Sequence, residues 1–310
     1  MQTLPPLRTG RARRLTGSLT PFEGVELSFV IVEGPRPGPC LVVTAGVHGS
    51  EFCSVEAAVR LAQTRPEDIS GTLLVLPIVN QQGFYRRSIY VMPQDGKNLN
   101  RMFPGDPEGS ASQRLAHWLV ANVYPQADAY LDLHGGDLDE SLAPFTIFPK
   151  GCARSEALAA AFGVPIAVAA TRAGSTIMAA NALGVPSLLP EVSGNGLWGE
   201  DTVAQLTRGL HGVMRSIGML PEEPGSPTPA RPEIMTMWVP TAPCSGLWYA
   251  RAEVSDMVEK GAVIGEIRDV FGEVLETIRS EQDGRILYRL TSLSVNQGEA
   301  LLGVGSPLAA

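Results

Sequence analysis

Basic residues, cysteines and long apolar runs are all scarce in this 310-residue chain, and each shortage removes a class of function. Lysine and arginine number 24 against 32 acidic residues, which leaves a net charge of −8 at pH 7. That balance repels phosphate backbones and anionic headgroups, so nucleic acid and membrane are not expected as partners. No apolar stretch approaches the roughly 20 residues that span a bilayer. The basic segment from Arg8 to Arg14 has no apolar core after it, so it does not read as a secretory signal. The cysteines (Cys40, Cys53, Cys152 and Cys244) have no C-x-x-C spacing. Neither a disulfide framework nor a cysteine zinc site is suggested, and reduced thiols in a cytoplasmic protein are expected. No G-x-S-x-G occurs, which argues against nucleophilic-serine chemistry, and P-loop and dinucleotide fingerprints are absent as well.

What is present begins with Val42-Val43-Thr44-Ala45-Gly46-Val47-His48-Gly49-Ser50-Glu51. The β-branched run, with Leu41 before it, predicts a buried strand that stops at Gly46. His48 and Glu51 follow three residues apart, on one side of a helical turn. Gly46 and Gly49 let the backbone turn sharply and keep the space above it open. Such a corner offers a metal ion two fixed ligands and room for a third.

Along the chain, residues 1–40 read as β-rich, with Val25 to Val30 alternating and a turn at Gly34 to Pro39. Helical spacing runs from Glu51 to Gln63, and Gly71 to Val79 is apolar on both faces, as strands of a helix-covered sheet are. Residues 80–110 form a long loop punctuated by glycine and proline, and loops of this length are usually functional or disordered. A helix is predicted from Ser112 to Val123 and a strand from Ala129 to His134, closed by Gly135-Gly136. Further helices are predicted at Ala157–Phe162, Ser175–Leu183 and Asp201–Ile217, with a short strand at Ser187–Val192. Alternating strands and helices predict an α/β protein whose sites lie at the carboxyl ends of the strands.

Three of those strand ends carry polar residues out of place in a core: His48 and Glu51, then His134, then Glu191. Two nitrogens and one carboxylate are the ligand set of a hydrolytic zinc site that leaves a position for water. His117 sits on a helix without a partner motif and is a decoy, as is His211. Asp132, two residues before His134 on the same strand face, suits either orienting an imidazole or capping a loop. Asp137 and Glu140 are the next carboxylates to consider should Glu191 not serve as base.

His48-Gly49-Ser50-Glu51, Asn98-Leu99-Asn100-Arg101-Met102-Phe103-Pro104-Gly105, Asp132-Leu133-His134 and Glu191 together resemble the succinylglutamate desuccinylase/aspartoacylase family. That family is itself similar to the zinc metallocarboxypeptidases. The resemblance covers about residues 20–220, and its specificity lies in the order of the motifs. It implies one zinc ion per chain held by His48, Glu51 and His134, with Glu191 as the general base that activates water. Asn100 and Arg101 would hold a substrate carboxylate, for which an arginine offers a bidentate fit. The family also carries an arginine shortly before its Asn-Arg pair to polarise the scissile carbonyl. Here Ser88-Ile89-Tyr90-Val91 stands in that region, with Arg86 and Arg87 just upstream, and Arg87 is the candidate for the role.

After Ile217 the composition changes to a proline-stiffened linker at 221–232. Beyond it, Gly246-Leu247-Trp248-Tyr249 with Val258-Glu259-Lys260-Gly261, and Gly284-Arg285-Ile286-Leu287-Tyr288 with Val295-Asn296-Gln297-Gly298, form two similar halves. The pattern resembles a barrel-sandwich hybrid of the biotinyl/lipoyl type, without the lysine hairpin that carries an attached cofactor. The expected fold is therefore α/β: a zinc carboxypeptidase-like mixed central sheet with helices on both faces over 1–220. A small all-β barrel-sandwich domain follows at 233–310, serving as packing and oligomerisation surface or flanking the site, and a homo-oligomer is left open. The expected function is a zinc-dependent deacylase acting on a small N-acylated amino acid. A metallocarboxypeptidase, or a catalytically silent metal- or ligand-binding protein, is the alternative.

Overall fold

The computed structural model describes residues 2–222 and 230–308, so most of the expected linker lies outside the described residues. The chain opens with β1 (Arg13–Phe22), β2 (Val25–Glu33) and β3 (Arg36–Ala45), followed by α1 (Phe52–Leu61) and β4 (Ser70–Leu76). Next come α2 (Gln81–Arg86), a two-stranded ribbon of β5 (Val91–Met92) and β6 (Lys97–Asn98), and α3 (Ala111–Asn122). β7 (Ala129–Leu133), β8 (Glu140–Leu142), β9 (Phe145–Pro149), α4 (Ala153–Phe162) and β10 (Ile166–Ala170) continue the chain. α5 (Thr176–Ala182), β11 (Ser187–Glu191) and α6 (Glu200–Ser216) complete the α/β part. The C-terminal part holds β12 (Glu233–Trp238), β13 (Gly246–Ala250), β14 (Met257–Val258), β15 (Val263–Arg268) and β16 (Val274–Arg279). It ends with β17 (Gly284–Leu290), β18 (Ser294–Val295) and β19 (Leu302–Pro307).

One mixed sheet dominates, in the order β1-β2-β4-β3-β7-β11-β9-β10-β12-β19-β17-β14, with β8 pairing β17 off that path. Its central strands bury both faces because side chains alternate between two helical layers. Val43, Ala45, Leu131 and Leu133 pack with α1, α4 and α6 through Ala57, Leu61, Leu158, Phe162, Leu206 and Leu210. Val42 and Tyr130 face the other way, against Trp118 and Leu119 of α3 and Ile177 of α5. The mixed central sheet with helices on both faces is thus the observed architecture.

The C-terminal strands do not stand apart from it. β12 pairs in parallel with β10, β12 and β19 then pair antiparallel, and β17 follows β19. The remaining strands form a second sheet, β16-β15-β13-β18, and Trp248, Ile264, Ile267, Ile286 and Val304 fill the space between the two sheets. A separate small core of Phe145, Ile166, Val168, Met235 and Leu287 seals the joint between the two parts of the chain. Burying each such side chain stabilises the fold by about 1.5–3 kcal/mol.

Several local expectations change. β3 begins at Arg36, inside the segment read as a turn. Pro37 and Pro39 are accommodated because the β3–β4 register is interrupted between Arg36 and Cys40. The long segment 80–110 is largely structured by α2, the β5–β6 ribbon and a 3-10 turn at Leu99–Arg101. β1 falls within the β-rich entry expected at 1–40, while the internal strands β9 and β10, each five residues long, were not read from the sequence and draw their stability from pairing within the sheet.

Candidate metal centre and active-site cleft

β3, β7 and β11 lie side by side and parallel, with Ala45 opposite Leu133 and Leu188 opposite Leu131. Their carboxyl ends therefore meet at one edge of the sheet, where ligand sites of such folds form. Gly46 adopts φ 60° at the end of β3, a left-handed turn that glycine takes without strain. At Gly49 any side chain would collide with the backbone of α2, since a Cβ would lie 2.1 Å from the Phe84 nitrogen. These two residues fold the chain so that His48 and Glu51 turn back over the strand ends.

His48, Glu51 and His134 converge there, with candidate ligand atoms all within 4.8 Å of one another. All three are buried, at 7%, 3% and 1% exposure. Nδ1 of His48 lies 2.6 Å from Glu51 Oε1, and Nδ1 of His134 lies 2.9 Å from Glu51 Oε2. The outer nitrogens face acceptors: His48 Nε2 meets Asn98 Oδ1 at 3.1 Å, and His134 Nε2 meets Asp132 Oδ2 at 2.9 Å. Each Nε2 therefore carries the proton, and each Nδ1 presents a lone pair inward. Two imidazole lone pairs beside an ionised carboxylate fit a divalent cation.

The electrostatics agree. Burial works to raise the pKa of Glu51, but the His134 and His48 imidazoles outweigh it and bring the carboxyl down to about 2. Burial opposes charge on His134, yet the carboxylates of Glu51 and Asp132 raise its pKa well above the usual value. The same negative field draws a cation to this point. Asp132 is itself held by Thr44 Oγ1 at 2.6 Å and Thr176 Oγ1 at 2.5 Å. It is fully buried and orients His134; it caps no loop.

Glu191 ends β11 and bridges His134 on the neighbouring strand, so its carboxyl stands beside the metal group. Burial raises its pKa well above the ordinary value; His134 opposes this, while Glu51, Glu140 and Asp132 add to it. Asn100 and Arg101 lie in the 3-10 turn. Asn100 Oδ1 accepts from the Thr176 amide at 2.9 Å, which leaves its Nδ2 free to donate. Arg101 is exposed to the cleft yet has protein on most sides, and burial followed by the Arg172 charge lowers its pKa. Arg87 caps the end of α2 with φ 54°, exposed, and has no recorded contact with these residues. His117 sits on α3 and is not part of the converging group.

Arg172 and Tyr288 lie near enough to Arg101 to act on its charge. Tyr90 packs edge-on to His48, with ring centroids 5.5 Å apart, and its amide donates to Asp137 Oδ2 at 2.9 Å. Arg172 lies between two ordinary elements and Tyr288 on a strand far along the chain, so neither carries a motif in the sequence.

A family model for the succinylglutamate desuccinylase/aspartoacylase catalytic domain matches residues 37–217. The chain belongs to this family. Its relatives include the N-alpha-acetyl-L-2,4-diaminobutyric acid deacetylase of Halomonas elongata, 29% identical over 283 residues, which are 85% of this chain and 81% of that one. A solved family structure from Rhodobacter sphaeroides superposes with a TM-score of 0.81 at 28% identity, covering 96% of this chain and 97% of its own. The product-bound ectoine utilization protein EutE (DoeB) of Ruegeria pomeroyi superposes equally well, at 0.81, over 95% and 94% of the two chains. At 24% identity that likeness concerns the family fold alone. No described helix is long and apolar enough to cross a membrane.

Proposed function

We propose that this family member is a zinc-dependent deacylase that hydrolyses the amide bond of a small N-acylated amino acid. The observation that supports the reading is the convergence of His48, Glu51 and His134, with Glu191 bridged to His134 on the neighbouring strand. His48 Nδ1, His134 Nδ1 and Glu51 would hold one zinc ion per chain. When bound, such an ion lowers the pKa of a water molecule to about 7 and polarises a carbonyl. Arg101 pairs with the substrate carboxylate, and Asn100 Nδ2 donates a second hydrogen bond to it. Glu191 takes a proton from the attacking water and returns it to the nitrogen of the leaving amine. Burial suits Glu191 to this double task, because a carboxyl with a raised pKa holds the proton between the two transfers.

The relative from Halomonas elongata is named for N-alpha-acetyl-L-2,4-diaminobutyric acid. That compound is accordingly the first substrate to test. Zinc-loaded protein should release acetate from it, and from other N-acetyl amino acids at lower rates. A chelated sample should not, and zinc should restore the activity. Protein that binds zinc but releases no acyl group from any N-acyl amino acid refutes the reading.

A further inference from the structure

Two hydrogen-bonded paths leave the His48–Glu51–His134 group on opposite sides and meet again in one turn. The first begins at His48, whose Nε2 faces Asn98 Oδ1 at 3.1 Å. Asn98 ends β6 and immediately precedes the 3-10 turn of Leu99–Arg101. The second begins at His134, whose Nε2 donates to Asp132 Oδ2 at 2.9 Å. The same oxygen accepts from Thr176 Oγ1 at 2.5 Å, and the Thr176 amide donates to Asn100 Oδ1 at 2.9 Å. That amide opens α5 and has no acceptor within the helix, so Asn100 supplies the one it needs. On the inner side Glu51 joins the two imidazoles, 2.6 Å from His48 Nδ1 and 2.9 Å from His134 Nδ1. The imidazoles and the turn are therefore two arcs of one ring.

The ring is backed on both sides. The Phe103 amide donates to the Gly174 carbonyl at 3.1 Å, which joins the end of the turn to the loop before α5. A Cβ at Gly174 would lie 3.1 Å from the Arg101 carbonyl oxygen, so these segments pack closely. On the other side Asn98 pairs with Val91 across the β5–β6 ribbon, and Asn80 Nδ2 donates to the Val91 carbonyl at 3.2 Å. These backbone contacts set where the turn lies, while Asn98 and Thr176 connect it to the imidazoles.

We propose that Asn98 and Thr176 are positioning residues that make this ring cooperative, so that a metal ion on His48 and His134 and the order of the turn carrying Asn100 and Arg101 stabilise each other. The inference rests on the zinc reading of the site and needs no particular substrate. An ion that takes both Nδ1 lone pairs fixes the two ring planes, and with them the direction of each Nε2–H. Asn98 and Asp132 then receive those protons in good geometry, and Thr176 passes the constraint to Asn100. The coupling is reciprocal: a turn held in place presents the imidazoles already oriented and so tightens the ion.

Hydrogen exchange and zinc competition on the whole chain test this. In the wild type, zinc should slow exchange at the Met102, Phe103 and Thr176 amides by about 5-fold or more, the lower end of ordinary coupling between sites. Amides paired between β1 and β2, at the far edge of the sheet, should not change. In Asn98→Ala and in Thr176→Val the slowing at the turn should shrink toward none. Zinc affinity, read against a chromophoric chelator, should fall about 10–100-fold in each. Asn98→Asp keeps an acceptor for His48 and Thr176→Ser keeps the hydroxyl, so these two should restore both readouts. A role confined to packing would lower the melting temperature of metal-free protein without altering the response to zinc. Should one of the two disruptive variants fail to fold, the other decides. Full slowing at the turn, or wild-type zinc affinity, in the folded disruptive variants overturns this inference and leaves the zinc reading standing. A wild type that binds no zinc overturns the zinc reading and this inference with it.

Discussion

Replacing Asp132 by asparagine is the sharpest test of how the metal centre is held. Asp132 is fully buried and receives three donors: Thr44 Oγ1 at 2.6 Å, Thr176 Oγ1 at 2.5 Å and His134 Nε2 at 2.9 Å. Asparagine keeps the shape and one acceptor but loses the charge and turns an amide donor toward former donors. The less costly orientation points that amide at Thr44. The Thr44 hydroxyl can then donate to the Tyr130 phenol oxygen, 2.7 Å away, which displaces the phenol's own donation to Thr44. His134 still meets an acceptor, now neutral, and its Nδ1 becomes a weaker donor. Removing such an outer partner lowers metal affinity by about 10–100-fold. The fold should lose at most about 1–3 kcal/mol, the cost of one imperfectly satisfied buried polar group. Competition against a chromophoric chelator reads the affinity, and thermal melting of metal-free protein reads the fold. Asp132→Asn with wild-type zinc affinity and a wild-type Tm would refute the argument that this carboxylate sets the ligand.

Glu191→Gln should retain zinc and lose about 10²–10⁴-fold in kcat, read by acetate release; survival within a factor of a few would make Glu191 a structural carboxyl. Arg101→Ala should raise KM steeply for substrates with a free carboxylate and change it little for their methyl esters, because the bidentate pair has no partner there. The pH dependence of metal-free protein should show Glu140. Burial raises its folded pKa to about 8, above the ordinary 4.5 of the unfolded chain, so its contribution is fully present below about pH 4.5 and is lost as pH rises through 8. Melting temperature should therefore fall between pH 5 and 8 in the wild type and fall less in Glu140→Gln; parallel curves would contradict the assignment. Finally, a thiol reagent should leave buried Cys40 unmodified in folded protein at pH 8, since burial pushes its thiol up to about 12.

The convergence of His48, Glu51 and His134 was legible because these residues follow the ends of hydrophobic strands, where polar side chains have few structural uses. The adjacency of β3, β7 and β11 then did the rest, and it was implied by the βα alternation. Asp132 was half legible: the two-residue spacing put it on the right face, but only Thr44 and Thr176 reveal which of its two readings holds. Arg172 and Tyr288 were not legible, since a cleft wall assembled from distant segments leaves no local pattern. Asn98 was quoted within a motif, yet its hold on His48 Nε2 depends on the ribbon folding the 80–110 segment back over α1. Proline and glycine in that segment masked its order, because they mark chain reversals as readily as loops.

The continuity of the great sheet from β10 into β12, β19 and β17 limits how substrate can enter. In many two-part enzymes one lobe swings on a hinge and the aperture widens as a whole. Here such a swing would tear the β10–β12 ladder and the β8–β17 ladder together, exposing Met235 and Leu287 as it did so. Each ladder hydrogen bond exchanged for water costs about 0.5–1.5 kcal/mol net, so a swing that breaks several and exposes apolar side chains is strongly disfavoured. Any opening of this edge of the sheet is therefore confined to the scale of side chains. Selectivity by size should persist unchanged in conditions that loosen hinges, such as mild denaturant, and vanish only when the sheet itself unravels.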